Sequence, residues 1–139
     1  MANFQWVQNG DIRLRVAVEG RDDAPLVVLV HGFPESWYSW RHQLRALAEA
    51  GYRAVAPDVR GYGGSDRPHE IRAYTIQELT SDTAAIAKTL SPDKPAVVVG
   101  HDWGAPIAWN TALLHADHFR AVAGLSVPYI PLGPIAPLD

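Results

Sequence analysis

The sequence predicts an α/β domain: an antiparallel hairpin leading into a mostly parallel sheet with helices on both faces. Three observations carry that prediction. Asn9-Gly10 separates two short runs, and in the second Ile12, Leu14, Val16 and Val18 alternate with Arg13, Arg15 and Glu19. Alternation of period two beside an Asn-Gly pair is the pattern of a half-buried hairpin. Solid apolar runs then recur near 26–30, 53–57, 96–99 and 121–126, as in strands covered on both faces. Segments of helical spacing lie between them, which implies crossover connections and parallel neighbours.

Each element follows from its residues. Phe4 to Gln8 is the first strand, and Ile12 to Glu19 returns beside it. Leu26-Val-Val-Leu-Val30 is the first doubly covered strand. Trp37, Trp40, Leu44, Leu47 and Ala48 then line one helical face, and Gly51 is placed to end that helix. Arg53 to Pro57 is the next strand, followed by a glycine-rich loop from Asp58 to Pro68. Thr75-x-x-Glu78 reads as a capping box opening a helix to about Leu90, which Ser91-Pro92-Asp93-Lys94-Pro95 breaks. Ala96 to Val99 is a third buried strand, a helix runs from Asp102 to about His115, and Ala121 to Ser126 closes the series. Pro128, Pro131, Pro134 and Pro137 recur every third residue, which favours extended backbone and forbids a continuing helix. Two regions result: a core segment, 1–127, and a proline-rich stretch, 128–139.

Composition excludes several classes. The 139 residues are 47% hydrophobic and 19% charged, too apolar for a disordered tail. Twelve basic against fifteen acidic residues give a formal charge of −3, so no general attraction to a phosphate backbone is expected and no nucleic-acid partner. No apolar run approaches the length of a membrane span. There is no cysteine, hence no disulfide and no thiolate metal site. The first residues do not read as a secretory signal, which makes the cytoplasm the default compartment. Gly61, Gly63 and Gly64 lack the Lys-Ser/Thr of a phosphate-binding loop. Most of the five tryptophans are expected in the core, Trp103 excepted, and Arg13 and Arg15 are expected on a solvated strand face.

The chemistry concentrates in Gly100-His101-Asp102-Trp103-Gly104, directly after a Val-rich strand and opening a helix. Small residues around a central side chain allow the sharp bend of a nucleophile elbow. Aspartate at its tip is ionised at neutral pH without help from a base, and it can attack an sp³ carbon directly to form an ester. The competing reading of Asp102 is a helix N-cap, for which aspartate is also favoured. His31-Gly32-Phe33-Pro34 follows the first buried strand. Backbone amides of Phe33 and Trp103 are then candidates for an oxyanion hole, with Gly32 allowing close approach and Pro34 stiffening the loop.

Three stretches, taken in order, resemble the α/β-hydrolase superfamily and within it the soluble epoxide hydrolases. They are His31-Gly-Phe-Pro-Glu-Ser-Trp-Tyr-Ser-Trp40, Asp58-Val-Arg-Gly-Tyr-Gly-Gly-Ser65 and Gly100-His-Asp-Trp-Gly104. Ala121 to Pro128 looks like the strand that leads into that family's lid. The resemblance implies Asp102 as nucleophile, Phe33 and Trp103 as oxyanion-hole donors, a cis peptide before Pro34, and no cofactor or metal. It implies a small epoxide and water as reactants, with lid tyrosines protonating the leaving oxygen and a carboxylate-oriented histidine activating water. The same resemblance leaves that histidine, its acid partner and the lid unaccounted for. His31 and His101 lie inside motifs and are expected to hold loops. His42 and His69 precede the nucleophile and read as solvated, whereas His115 and His118 fall at the far end of the following helix. The chain therefore reads as the first part of a catalytic domain, inactive alone, with a second chain carrying the remainder as the alternative. Two other functions share the motifs. A haloalkane or haloacid dehalogenase uses the same aspartate, but Phe33 offers no halide donor, and the fluoroacetate enzymes carry Arg where Trp103 stands. A non-catalytic binding protein on the same fold is the alternative from another class.

Overall fold

A computed structural model describes residues 2–131. Its order is β1 (Asn3–Asn9), β2 (Ile12–Glu19), β3 (Leu26–Val30), α1 (Arg41–Glu49), β4 (Arg53–Pro57), α2 (Ile76–Leu90), β5 (Ala96–His101), α3 (Gly104–Leu114) and β6 (Phe119–Leu125). The strands form one sheet in the order β1-β2-β4-β3-β5-β6. β1/β2 and β2/β4 are antiparallel, and the β4/β3, β3/β5 and β5/β6 pairs are parallel. The α/β expectation is met, with a hairpin appended to a parallel sheet.

Successive side chains of each buried strand serve opposite faces, as the pleat requires. Val28, Val30, Val55 and Val98 pack with Leu14, Val16, Ala84, Ile86, Ile107 and Ala108 beneath α2 and α3. Val27, Leu29, Ala54 and Ala56 pack with Ala17, Trp40 and Leu44 beneath α1. Solid apolar runs are the consequence of covering both faces.

Several local expectations shift. Asn9 pairs with Ile12, so the two-residue hairpin turn is Gly10-Asp11, with Gly10 at φ +58°. The helix expected from Trp37 is a 3-10 turn, Trp37–Trp40, followed by α1. There the Trp37 amide donates to Asp58 Oδ1 (3.0 Å) and the Tyr38 amide to Ser36 Oγ (3.3 Å), which tightens the first turn. Thr75 Oγ1 accepts from the Glu78 amide, but the Glu78 carboxylate accepts from Arg60 instead of completing the capping box. Of the five tryptophans only Trp40 is buried; Trp6 and Trp103 are exposed. Trp6 lies under the Arg13 guanidinium, 4.5 Å from ring centroid to charge, so the β1/β2 outer face is a cation–π surface rather than core. β6 starts at Phe119, earlier than its apolar run suggests, because Phe119 is buried against α2 and α3. Pro128 to Pro131 adopt neither helix nor strand. Pro134 and Pro137, with most of the 128–139 stretch, lie outside the described residues. Among the described residues no helix is long and apolar enough to cross a membrane.

One feature of the topology positions the site. From β3 the chain moves to β4 on one side, and β5 then adds on the other. The carboxyl ends of β3 and β5 are therefore neighbours, with Val30 paired to Gly100. In open α/β sheets such a switch point is where ligands bind.

Candidate active site

Asp102 leaves β5 at φ +56°, a left-handed conformation uncommon for any residue except glycine. Three glycines make this bend possible. A Cβ on Gly100 would lie 2.0 Å from the Gly104 carbonyl oxygen, and one on Gly104 would lie 2.1 Å from Val30 O. A Cβ on Gly32 would lie 2.4 Å from Asp102 Cβ and 2.6 Å from Oδ1. The chain packs β3, β5 and α3 so closely that only glycine fits at these crossings.

The carboxylate does not cap its helix. The first residue of α3 is Gly104, its cap position is Trp103, and no side chain bonds there. Instead Asp102 Oδ1 accepts from the Phe33 amide at 2.9 Å, across the β3/β5 boundary. The N-cap reading of Asp102 is thereby excluded, because the aspartate reaches a different loop. The Phe33 amide, aided by that of Trp103, holds the Asp102 carboxyl below the usual carboxylate range. The group is ionised at every pH above that range. Oδ1 is the oxygen engaged by the Phe33 amide.

His31 is buried and fixes the donor loop. Its Nε2 accepts from the Val59 amide (3.0 Å), which leaves Nδ1 to carry the proton and donate to Gly32 O (2.9 Å). Burial pushes its pKa down, and neutral imidazole is the form both bonds require. His31 thus joins the loop after β3 to the loop after β4, and with both nitrogens used it is not a free base. His101 points its Nδ1 at Glu35 Oε1, 3.6 Å away, so this pair faces across the two loops that carry Phe33 and Asp102. The Phe33–Pro34 peptide is cis.

The glycine-rich loop is tied down by two buried charges. Asp58 is fully buried; its Oδ2 accepts from Arg15 Nε (2.9 Å) and the Gly64 amide (2.8 Å). Arg15 is therefore half-buried and paired, unlike the solvated residue its strand position suggests. Arg60 donates to both oxygens of Asp82, at 2.8 and 2.7 Å, and to Ala73 O at 2.9 Å. A fork matched to a carboxylate in this way is among the stronger polar contacts a protein makes. Together they hold Tyr62 edge-on to His31, with ring centroids 5.1 Å apart.

Beside the elbow is a cavity of about 310 Å³, walled mainly by Tyr62, Tyr74, Leu79, Trp103, Pro106 and Ile107. Its lining includes Gly32, which precedes the Phe33 amide, and Trp103, which carries the second amide beside Asp102. Trp103 is 67% exposed, as expected for the residue that follows Asp102. His42 and His69 are exposed and take no part in these contacts. His115 and His118 end the α3 segment, away from the elbow at its start. Among the described residues no cluster of three His, Asp or Glu is placed to hold a metal ion. The motif reading passes over Glu35 and Ser126. Glu35 had a signal in its place one residue beyond Pro34, whereas Ser126 had none.

This arrangement defines a class. A family model described as alpha/beta hydrolase fold matches residues 25–137, and the chain belongs to that family. Among curated proteins it is 53% identical over 131 residues to "Epoxide hydrolase A" of Mycobacterium tuberculosis, covering 94% of this chain and 40% of that protein. It is 44% identical over 131 residues to "Epoxide hydrolase 3" of Siraitia grosvenorii, with the same coverage of 94% and 40%. Among solved structures, "Epoxide Hydrolase A from Mycobacterium thermoresistibile" superposes with a TM-score of 0.90 at 50% identity, over 94% of this chain and 41% of that one. The chain spans about two fifths of the length of the curated relatives it matches. Those relatives hold the matched part and the remainder in one polypeptide, which gives no support to a second chain.

Proposed function

We propose that this protein hydrolyses an epoxide to a vicinal diol through a covalent ester on Asp102. The observation that carries the reading is an ionised aspartate at a left-handed elbow, held by an amide of the neighbouring loop. Names of relatives at 44% and 53% identity support the substrate class.

The geometry supports the following roles. The Phe33 amide engages Oδ1, and Oδ2 is assigned in this reading as the attacking atom. Its lone pair forms a bond to a ring carbon while that carbon's bond to the ring oxygen breaks, and strain in the three-membered ring drives the step. In the second step water attacks the ester carbonyl carbon, and collapse of the adduct breaks the Cγ–Oδ2 bond, so that the diol leaves with Oδ2 and the water oxygen stays in the Asp102 carboxylate. Negative charge then develops on Oδ1, where the Phe33 and Trp103 amides serve as the oxyanion hole. Donors already in place cost no reorganisation as the charge appears, and each is worth a few kcal/mol. His31, Gly32 and Pro34 shape the Phe33 loop, and Gly100, His101 and Gly104 shape the elbow. The cavity beside Trp103 takes an apolar substituent of the epoxide. The histidine and carboxylate that activate water, and the tyrosines that protonate the departing oxygen, are supplied by sequence that the relatives carry beyond the matched two fifths. Segment 128–139 is proposed as the beginning of that connection. These 139 residues hold no cysteine and hence no disulfide that would call for an oxidising compartment, and the cytoplasm is the proposed setting.

Styrene oxide and a terminal chloroalkane separate this reading from dehalogenation. The intact protein is expected to give phenylethanediol from the first and no halide from the second. Halide release without diol formation would reassign the aspartate to a carbon–halogen bond.

A further inference from the structure

We infer that Ser126, at the end of β6, is a positioning residue that holds the Asp102 elbow in its reactive orientation. The inference rests on the reading of Asp102 as nucleophile.

Two non-glycine residues among those described have φ in the left-handed region, Asp102 at +56° and Ser126 at +68°. The two are bonded to each other. The Asp102 amide is shared between Leu125 O at 3.3 Å and Ser126 Oγ at 3.2 Å. The first of these bonds continues the parallel β5/β6 ladder, which ends at the His101–Leu125 pair. It is long, and the hydroxyl supplies a second acceptor at the point where the ladder runs out. Residues in sparsely populated backbone regions persist only where their surroundings over-determine them. For Asp102 those surroundings are the Phe33 amide on its carboxylate, the Ala105 amide on its carbonyl oxygen (3.0 Å), and Ser126 with Leu125 on its amide. Among the described residues Ser126 is exposed. Its hydroxyl is the feature that the conformation delivers.

The consequence reaches both proposed chemical steps. The backbone angles of Asp102 fix where its carboxylate points. They also fix the direction of the Trp103 N–H, which belongs to the peptide group formed with the Asp102 carbonyl. A small rotation at Asp102 therefore misaligns the attacking oxygen and one oxyanion donor together, and misplacement of reacting atoms is costly.

The test uses two substitutions in the intact protein. Ser126→Gly keeps the left-handed backbone at no steric cost and removes the acceptor. Ser126→Asn keeps both, because asparagine tolerates this region and offers a carbonyl oxygen. Under single-turnover conditions with styrene oxide, Ser126→Gly is expected to form the Asp102 ester about tenfold more slowly, the scale of one hydrogen bond, at nearly unchanged half-saturating epoxide. Ser126→Asn is expected to restore the rate. In parallel, hydrogen exchange of the Asp102 amide should speed up about tenfold in Ser126→Gly and return in Ser126→Asn. Equal ester rates in wild type and Ser126→Gly, or equal slowing in both variants, would overturn the role in the reaction. Unchanged amide exchange would overturn the contact itself. Wild type that forms no ester yet shows the exchange pattern would instead refute Asp102 as nucleophile and leave Ser126 as the clamp of the elbow.

Discussion

Asp102→Asn is expected to reduce epoxide turnover by at least about ten-thousandfold, the scale on which loss of a covalent nucleophile is felt. The substitution is chosen to spare the structure. Asparagine is one of the few residues that visits the left-handed region readily, so φ +56° remains accessible. Its side-chain oxygen can still accept from the Phe33 amide, which now bonds Oδ1 at 2.9 Å. The variant lacks an anionic oxygen with a free lone pair directed at carbon. Steady-state diol formation, with an unfolding curve as control, reads the effect. Activity within tenfold of wild type in a pure, sequence-verified variant would mean that water attacks the epoxide directly and that Asp102 is a structural residue.

Gly104→Ala is expected to lose stability by about 3 kcal/mol. The added Cβ would meet Val30 O at 2.1 Å and both Val30 C and His31 O at 2.7 Å. All three are backbone atoms, so no flexible side chain can swing aside. The start of α3 must instead lift from the end of β3, which breaks the packing of Ile107 and Ala108 over Val30 and Val98. The same movement separates Asp102 from Phe33. Gly10→Ala serves as the control, since its Cβ meets nothing within 4 Å and only the backbone penalty of φ +58° remains, about 1 kcal/mol. Urea unfolding midpoints distinguish the two. Equal shifts would show that the close crossing of α3 over β3 is not a constraint.

These two residues illustrate which features a sequence exposes. Gly100-x-Asp102-x-Gly104 and His31-Gly32-Phe33-Pro34 are legible because close backbone crossings accept only glycine and leave a local signature. Strand runs such as Leu26 to Val30 are legible because covering both faces removes every polar residue. What stays hidden depends on partners distant in sequence. Arg15 reads as a solvated strand residue until Asp58, forty-three positions away, is found beneath it. Glu78 reads as half of a capping box until Arg60 claims its carboxylate. Asp102 itself admits two local readings, nucleophile or cap. A contact sixty-nine positions away, the Phe33 amide, removes the second. Ser126 carries no local mark, because its role lies in the pairing of β6 with β5.

In the proposed reaction an Asp102 oxygen, not water, makes the first bond to substrate carbon. A single turnover of excess intact protein with styrene oxide in heavy-oxygen water measures this directly, followed by mass analysis of the diol and of the peptide containing Asp102. Unlabelled diol and label in the Asp102 carboxylate are expected, because water replaces the oxygen that the aspartate gave up. Labelled diol with an unlabelled aspartate would contradict the proposed reaction.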